Sequence, residues 1–145
     1  MKIINARPEH FPQIYSLICE LEEASLDRTK LEAVYLQNLA DPNIHYLIAL
    51  ENGGAAGFAS VHVQCLLHHG GKIAELQEIV VAESRRGQGI GSLLFSEAEK
   101  TARAAECLQL EVCCNRKRTD SHRFYERQGM VASHFKFTEA LDGEN

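Results

Sequence analysis

The residues with the clearest chemical meaning form a loop just past the midpoint of the chain. An apolar run that ends at Ala82 leads into three glycines at every second position, Gly87 to Gly91, and a helical pattern follows at once. Glycines let backbone amides approach a ligand closely, and the start of a helix offers unpaired N–H groups and positive dipole charge. Arg85 and Arg86 could add charge-assisted hydrogen bonds to the same anion. The segment is therefore predicted to bind phosphate groups.

Two other phosphate-binding loops fit this segment poorly. A nucleoside-triphosphate loop ends in Gly-Lys-Ser or Gly-Lys-Thr, and that ending is absent here. A dinucleotide fingerprint needs a glycine where Ser92 stands, and it usually opens the first strand–helix–strand unit of its chain. The plain alternative is a glycine-rich turn with solvated arginines. Three glycines and two arginines at one helix start disfavour that alternative.

Histidines form a second group of interest. Three of the seven, His62, His68 and His69, lie close together in the sequence, and Gln64 shares one strand face with His62. Neutral imidazoles beside a carboxylate could bind a divalent metal, and protonated ones could bind an anionic substrate. Local hydrogen bonds in a strand and its turn are the alternative. The sequence leaves these interpretations open.

Composition limits the classes of protein that this chain could be. Its 145 residues, 45% of them apolar, suit a single globular domain. A formal charge of −5 argues against a general nucleic-acid coat. Five cysteines without a Cys-x-x-Cys pair suit neither a zinc site nor a disulfide framework, which favours a reducing compartment. The first ten residues lack the apolar core of a signal peptide, and no apolar run reaches membrane-spanning length. We therefore expect a cytoplasmic protein that binds neither membranes nor nucleic acid.

The hydrophobic periodicity alternates between two and about 3.6 residues along the chain. It predicts the order βααβββαβαβ, an α+β domain around a mixed, mostly antiparallel sheet flanked by helices. The predicted strands are Lys2 to Ala6, Ile44 to Leu50, Ala56 to Leu67, Lys72 to Ala82, Cys107 to Cys113 and Met130 to Ala140. The predicted helices begin near Pro8, near Arg28 and at Ile90, and the last helix has Thr119 or Asp120 as its N-cap and Gly129 just past its C-terminus.

Two motifs carry a resemblance to a known family. Arg86-x-x-Gly89-x-Gly91, between a Val-rich strand and a Leu-rich helix, resembles the acetyl-CoA loop of the GNAT-type N-acetyltransferases. The later segment His122-Arg-Phe-Tyr-Glu-Arg-Gln-Gly-Met130 resembles the Phe-Tyr-x-x-x-Gly segment of that family. The predicted order of elements also matches that fold. The resemblance implies one N-acetyltransferase domain over residues 1–145.

The resemblance also implies roles for particular residues. The backbone of the strand from Ile79 through Val80 to Val81 would run alongside the pantetheine arm, and Tyr125 would protonate the departing thiolate. Amides of the loop would hold the pyrophosphate: Arg86, Gly87, Gln88, Gly89, Ile90, Gly91 and Ser92.

The chain departs from the family at one loop near the coenzyme. The family often has Asn seven residues and Ala four residues before the tyrosine, where this chain has Arg118 and Ser121. The nearest asparagine is Asn115. Asn115 and Arg118 are therefore the candidates for coenzyme contacts in this loop.

Acetylation of an amine needs a base, because the attacking nitrogen must be neutral. Glu75 and Glu78 lie among apolar residues that could raise the pKa of a carboxylate. Strict alternation puts Glu75 and Gln77 on one strand face and Glu78 on the other, unless a bulge intervenes. We narrowly favour Glu75, and an ion-paired or solvated strand carboxylate is the alternative for either residue.

Nearly the whole chain resembles one branch of the family, the aminoalkylphosphonate N-acetyltransferases. The resemblance lies in segments that include Asp41-Pro-Asn43, His68-His69, Leu76-Gln-Glu78 and Ser133-His-Phe-Lys-Phe-Thr138. It implies that the acceptor is a small primary amine with a phosphonate group. The candidate substrate contacts are His62, Gln64, His68 and His134, and Arg123 and Lys136 are further cations.

The predicted activity is transfer of an acetyl group from acetyl-CoA to a small amine by direct attack, since no cysteine lies in an activating motif. A protein or peptide N-acetyltransferase and a non-catalytic acetyl-CoA sensor are the alternatives. The sequence leaves open a divalent metal at His62, His68 and His69, and also a homodimer.

Overall fold

The computed structural model describes residues 1–142, and it divides into two compact units at Val112 and Cys113. A single domain over residues 1–145 stays a prediction. The first unit contains five strands and three helices. They are β1 (Lys2–Asn5), α1 (Phe11–Glu22), α2 (Arg28–Leu39), β2 (Ile44–Glu51), β3 (Gly54–Leu66), β4 (Gly71–Val81), α3 (Ile90–Ala104) and β5 (Gln109–Val112). The second unit contains α4 (Thr119–Arg127).

The five strands form one sheet in their order along the chain. The pairs from β1 to β4 are antiparallel, and β4 pairs with β5 in parallel after the crossover through α3. The predicted mixed, mostly antiparallel α+β sheet is confirmed. Strand β2 is buried along its centre, as its apolar residues on both faces predict.

Helices cover the sheet on two faces. Phe11, Ile14 and Leu17 of α1 join Phe58 and Val80 of the sheet in one buried apolar cluster. Helix α3 buries a stripe on the opposite face, made of Ile90, Leu94, Phe95, Ala98 and Ala102. The sheet therefore lies between α1 and α2 on one side and α3 on the other.

Gly57 sets how closely α3 approaches the sheet. A Cβ atom at this position would lie 2.8 Å from Leu94 Cδ1 and 2.9 Å from the carbonyl oxygen of Val80. The missing side chain therefore gives Leu94 its place against β3.

The predicted strand from Met130 to Ala140 is wrong, because residues 130–140 have no regular secondary structure. Val131, Phe135 and Phe137 are exposed by 83%, 82% and 94%. Alternating apolar residues form a strand only where a neighbouring strand supplies backbone partners. The observed order is therefore βααβββαβα.

Several predicted boundaries shift by a few residues. Helix α4 begins at Thr119 with Arg118 at the N-cap position, so the predicted cap at Thr119 or Asp120 is wrong by one or two residues. Strand β5 is shorter at both ends than the predicted strand from Cys107 to Cys113. Gly129 has φ +92° just past α4, as expected for a glycine that ends a helix.

Candidate active site

The glycine-rich loop is an open backbone turn at the start of α3. Gly87 and Gly89 have φ of +78° and +79°, and a Cβ atom at either would meet no atom within 4 Å. Gly89 is the N-cap of α3, and its carbonyl accepts the amide of Leu93 at 3.2 Å. The amides of Ile90 and Gly91 precede that bond, so the helix supplies them with no carbonyl. The loop thus combines free space with N–H donors, which suits a phosphate-bearing ligand.

The two arginines of the loop have different surroundings. Arg85 forms an ion pair with Glu51 and donates to Gln88 Oε1 at 3.3 Å. This pairing lowers the pKa of the Glu51 carboxyl. Arg86 is exposed, and its Nε donates to the carbonyl of Val81 at 3.3 Å. A carboxylate therefore compensates the charge of Arg85, whereas Arg86 contacts a neutral carbonyl, which makes Arg86 the better placed cation for an anionic ligand.

Strand β4 extends beyond its parallel partner. Its pairing with β5 runs from Ile73 opposite Gln109 to Leu76 opposite Val112. Beyond Leu76, the four residues from Glu78 to Val81 pair on the other side with β3. The predicted coenzyme strand from Ile79 to Val81 lies in this part, where an extended ligand could add backbone hydrogen bonds.

A bulge in β4 brings the two candidate bases to the same face of the sheet. Ser60 pairs with Glu78 and Val61 with Leu76, so Gln77 is the extra residue. Glu75 pairs with His62, which shares the face of Ser60. The expectation of opposite faces for the two glutamates under strict alternation is therefore wrong. The extra residue reverses the alternation between them.

Glu78 is held by a buried serine. Its carboxylate accepts the Ser60 hydroxyl at 2.9 Å, and its amide donates to the same Ser60 oxygen at 3.1 Å. Ser60 is fully buried. Burial raises the pKa of Glu78, while the Ser60 hydrogen bond and His62 act in the opposite direction. A carboxylate with a raised pKa inside a pocket is a candidate for proton transfer.

The Glu78 side chain faces a cavity of about 160 Å³, here called the aromatic cavity. Its other lining residues are apolar or phenolic and come from α1, α2, β2 and β3. They are Phe11, Ile14, Tyr15, Ile18, Leu31, Val34, Tyr35, Tyr46 and Phe58. Tyr46 is oriented by the amide of Asn38, which donates to its hydroxyl at 2.8 Å. The sequence reasoning missed both Ser60 and this cavity, since neither forms a motif along the chain.

The predicted substrate residues of the first unit are spread along β3 and the turn after it. His62 lies on the Glu78 face and is half-buried, whereas Gln64 is exposed. The rings of His68 and His69 lie 4.4 Å apart in the short 3₁₀ turn Leu67–His69. Across residues 1–142, no group of three or more His, Cys, Asp or Glu side chains is arranged to hold a metal ion. The structure thus offers no support for a metal at His62, His68 and His69.

The second unit holds Tyr125 on α4. Burial raises the pKa of Tyr125 to about 12, with the Cys114 thiol adding to the shift and Arg118 opposing it. Asn115 shapes the preceding turn, because its side-chain oxygen accepts the Lys117 amide at 2.9 Å and its carbonyl contacts His122 Nε2 at 2.9 Å. Tyr125 is therefore fully protonated near neutral pH. His134, farther on, is exposed and lies 2.6 Å from the Ser133 hydroxyl.

Comparison with known proteins identifies the family. Residues 11–130 match the model of the Acetyltransferase (GNAT) family. The chain belongs to the GNAT acetyltransferases. It is an N-acetyltransferase whose acetyl donor is acetyl-CoA, and the open glycine loop suits that cosubstrate.

Individual GNAT relatives agree with this assignment. Over 137 residues the chain is 47% identical to the aminoalkylphosphonate N-acetyltransferase of Salmonella typhimurium (strain LT2), covering 94% of this chain and 89% of that protein. A solved acetyltransferase candidate from Agrobacterium tumefaciens str. C58 is 26% identical, with a TM-score of 0.87 over 97% of this chain and 100% of its own.

More distant structures share the GNAT fold alone. A transcriptional regulator from Bacillus halodurans C-125 superposes with a TM-score of 0.90 at 22% identity, covering 97% of this chain and 99% of its own. Glucosamine-6-phosphate N-acetyltransferase from Arabidopsis thaliana superposes with a TM-score of 0.82 at 17% identity, with coverage of 97% and 98%. Neighbours with such different names share the scaffold, so the acceptor must be argued from the site. In the described residues, no helix is both long and apolar enough to cross a membrane.

Proposed function

We propose that the acceptor amine is an aminoalkylphosphonate. The observation that carries this proposal is the 47% identity, over 94% of this chain, to a protein of that name. The reaction moves the acetyl group from the sulfur of acetyl-CoA to the amine nitrogen. Its products are an amide and the free coenzyme thiol, and there is no net change in redox state. The cysteine distribution supports a reducing compartment, and we place the reaction in the cytoplasm.

Glu78 is the proposed general base. It is the member of the glutamate pair that lines the aromatic cavity, and burial raises its pKa toward the range of a useful base. The two hydrogen bonds with Ser60 fix its position. Glu75, which the sequence narrowly favours, lies on the same face opposite His62 and is the alternative. Either residue would accept the amine proton directly or through a water molecule.

The proposed acetyl-CoA site is built from β4 and the glycine loop. The backbone of Ile79, Val80 and Val81 would hold the pantetheine arm as an added strand. Residues 86–92 would hold the pyrophosphate through their amides, with Asn115 and Arg118 as the proposed contacts from the second unit. Support comes from the space around Gly87 and Gly89 and from the part of β4 that extends past β5.

Tyr125 is the proposed proton donor to the departing sulfur. Because burial raises its pKa to about 12, the phenol carries its proton at every pH at which the enzyme would work. A phenol this weakly acidic stabilises a developing thiolate chiefly by donating a hydrogen bond. Direct attack by the amine then needs no acyl-enzyme intermediate.

His62, Gln64, His68 and His134 are the proposed substrate contacts. His62 has the strongest support, because it lowers the pKa of Glu78 and lies on the same sheet face.

The test is mass-spectrometric detection of N-acetylated product. The panel contains acetyl-CoA with aminomethylphosphonate, 2-aminoethylphosphonate, polyamines, aminoglycosides and short peptides. We expect acetylated phosphonates to be the best products. Preferential acetylation of peptides would favour the protein-acetylating alternative and overturn the acceptor proposed here. Tight acetyl-CoA binding without any product would favour the sensor.

A further inference from the structure

Arg28 lies next to the aromatic cavity, at the first position of α2. Its guanidinium carbon is 5.6 Å from the ring centre of Phe11 and 5.3 Å from that of Tyr15. Both rings also line the cavity that contains Glu78. Cation–π contact with two rings limits where this long side chain can go. The guanidinium is thus held against two rings that line the cavity, while the residue stays exposed.

The backbone around Arg28 is also fixed. The Tyr15 hydroxyl donates to the carbonyl of Leu26, which ties the turn before α2 to α1. The Asp27 side chain accepts the Lys30 amide at 3.0 Å and its carbonyl accepts the Leu31 amide at 3.0 Å. Asp27 therefore acts as the helix cap, and its carboxylate is engaged with the backbone.

The Arg28 guanidinium keeps its hydrogen-bond donors. Within the described residues, no carboxylate forms an ion pair with it and no side-chain hydrogen bond uses it, unlike Arg85, Arg103 and Arg123. A guanidinium has five N–H donors in a planar fork that matches the oxygens of a phosphonate. Stacking on rings uses the face of the guanidinium and leaves these edge donors available.

The lining of the cavity suits the amine end of an aminoalkylphosphonate. The cavity has a volume of about 160 Å³, and Glu78 is the carboxylate among the described residues that line it. A dianion would lose its hydration among apolar side chains, with no cation among those lining residues, which is strongly unfavourable. An amine, in contrast, would find the Glu78 carboxylate and the faces of aromatic rings. The amine end therefore points inward and the phosphonate stays at the edge.

We propose that Arg28, stacked on Phe11 and Tyr15, binds the phosphonate of the acceptor while its amine reaches Glu78. This assignment rests on the proposed function and adds to it the residue that selects an anionic acceptor. Arg28 is not among the cations that the sequence singled out, because it belongs to no motif and its position depends on the contact between α1 and α2.

The first test is steady-state kinetics with 2-aminoethylphosphonate as acceptor. Arg28→Gln keeps much of the stem but removes the charge, and Lys30→Gln removes an equal charge two residues away as the matched control. We take a KM increase of roughly 10- to 100-fold as the effect of one charge-assisted contact, which corresponds to about 1.4–2.8 kcal/mol. We expect that increase for Arg28→Gln alone, with kcat and the KM for acetyl-CoA within about twofold of the parent. An unchanged acceptor KM in Arg28→Gln overturns the assignment.

A second readout separates recognition from packing. Ethylphosphonate, which has no amine, should inhibit the parent enzyme competitively against the acceptor and should lose that inhibition in Arg28→Gln. A fall in kcat or in thermal stability with unchanged inhibition would show a packing role and would also overturn the assignment. If the parent enzyme acetylates other amines but no phosphonate, the proposed acceptor itself fails. That result differs from an unchanged phosphonate KM in Arg28→Gln, which overturns only the assignment of Arg28.

Discussion

The Glu78 carboxylate is subject to opposing influences. Burial among aromatic rings disfavours its charged form, whereas the Ser60 hydroxyl and the nearby His62 favour it. A base needs both effects. Burial makes the carboxylate more basic, and the contacts with Ser60 and His62 keep it ionised often enough to act. The following three predictions test this balance.

Replacement of the base should remove most of the activity. We expect Glu78→Gln to lower kcat/KM by roughly 10²- to 10⁴-fold, since the amide cannot accept the amine proton. Because burial raises the pKa of Glu78, activity of the parent should fall with decreasing pH at values above the ordinary 4.5. Glu75→Gln is the matched control from the same sheet face. If it shows the larger loss, the base is Glu75.

Glu78→Gln should stabilise the fold at neutral pH. The folded state binds the Glu78 proton more tightly than the unfolded state does, so this residue's stabilising contribution is present below pH 4.5 and is lost as pH rises through the folded pKa. Because glutamine does not ionise, Glu78→Gln avoids this loss of stability, and the glutamine oxygen can still accept the Ser60 hydrogen bond. Urea unfolding should therefore show a more stable variant at pH 7 and a smaller difference at pH 4. A variant that is less stable than the parent at both pH values would contradict a pKa of Glu78 that is raised in the folded state.

Removal of the Ser60 hydroxyl should change the pH profile. The hydrogen bond from Ser60 lowers the pKa of Glu78, so Ser60→Ala should move the acidic limb of kcat/KM to higher pH. Loss of a buried partner should also cost about 1–3 kcal/mol of the free energy of unfolding. Ser16→Ala, which removes an exposed hydroxyl from α1, is the control. If the acidic limb of kcat/KM lies at the same pH in Ser60→Ala as in the parent, a group other than Glu78 titrates there.

Among the structural elements, the loop before α3 is the one that the coenzyme proposal depends on. Gly89→Ala would place a Cβ at φ +79°, at a strain cost of roughly 1–2 kcal/mol, and would fill space beside the loop amides. We expect the Kd for acetyl-CoA, measured by calorimetry, to rise at least about tenfold. Gly53→Ala is the matched control. Gly53 has φ +78° and equally open surroundings, but it lies in the turn between β2 and β3, away from the glycine-rich loop in the sequence. Equal effects of the two substitutions would mean that only backbone strain matters.

The contact between α3 and β3 should tolerate no side chain at Gly57. An added Cβ would approach Leu94 and the Val80 carbonyl to less than 3.0 Å, and a backbone atom cannot move away easily. We expect Gly57→Ala to lower the free energy of unfolding by about 1–3 kcal/mol. Gly54→Ala is the control, with an ordinary 3.6 Å contact, and should change it by less than about 0.5 kcal/mol. Unfolding in urea provides both values.

For the whole molecule, the segment after α4 should contribute little to stability. Phe135 and Phe137 are exposed by 82% and 94%, so replacing both by Ser should change the free energy of unfolding by less than about 0.5 kcal/mol. Phe95→Ala, at a position that is 2% exposed, should cost about 3–5 kcal/mol by the same measurement. A loss above about 2 kcal/mol in the double variant would mean that the predicted strand forms after all.

Much of the molecule follows from patterns that are local along the chain. The glycine spacing, the strand before it and the helix after it mark the loop, because each acts through its own backbone conformation. The apolar periods of α1, α3 and the central strands likewise depend on nearest neighbours, and their order confirms the α+β fold. The family resemblance rests on these same segments, and the family match confirms it.

Tertiary structure decided what depends on partners far along the chain. The bulge at Gln77 exists only in the register with β3, so alternation within β4 could not place Glu78 beside Ser60. The aromatic cavity needs α1, α2, β2 and β3 together, and Arg28 gains its two rings only when α1 and α2 pack. Residues 130–140 show the converse, since a strand pattern without a paired neighbour stays irregular. The sequence alone determined the glycine-rich loop and the order of elements up to α4. Packing decided which side chains line the cavity beside Glu78, because register and cavity shape are properties of several elements at once.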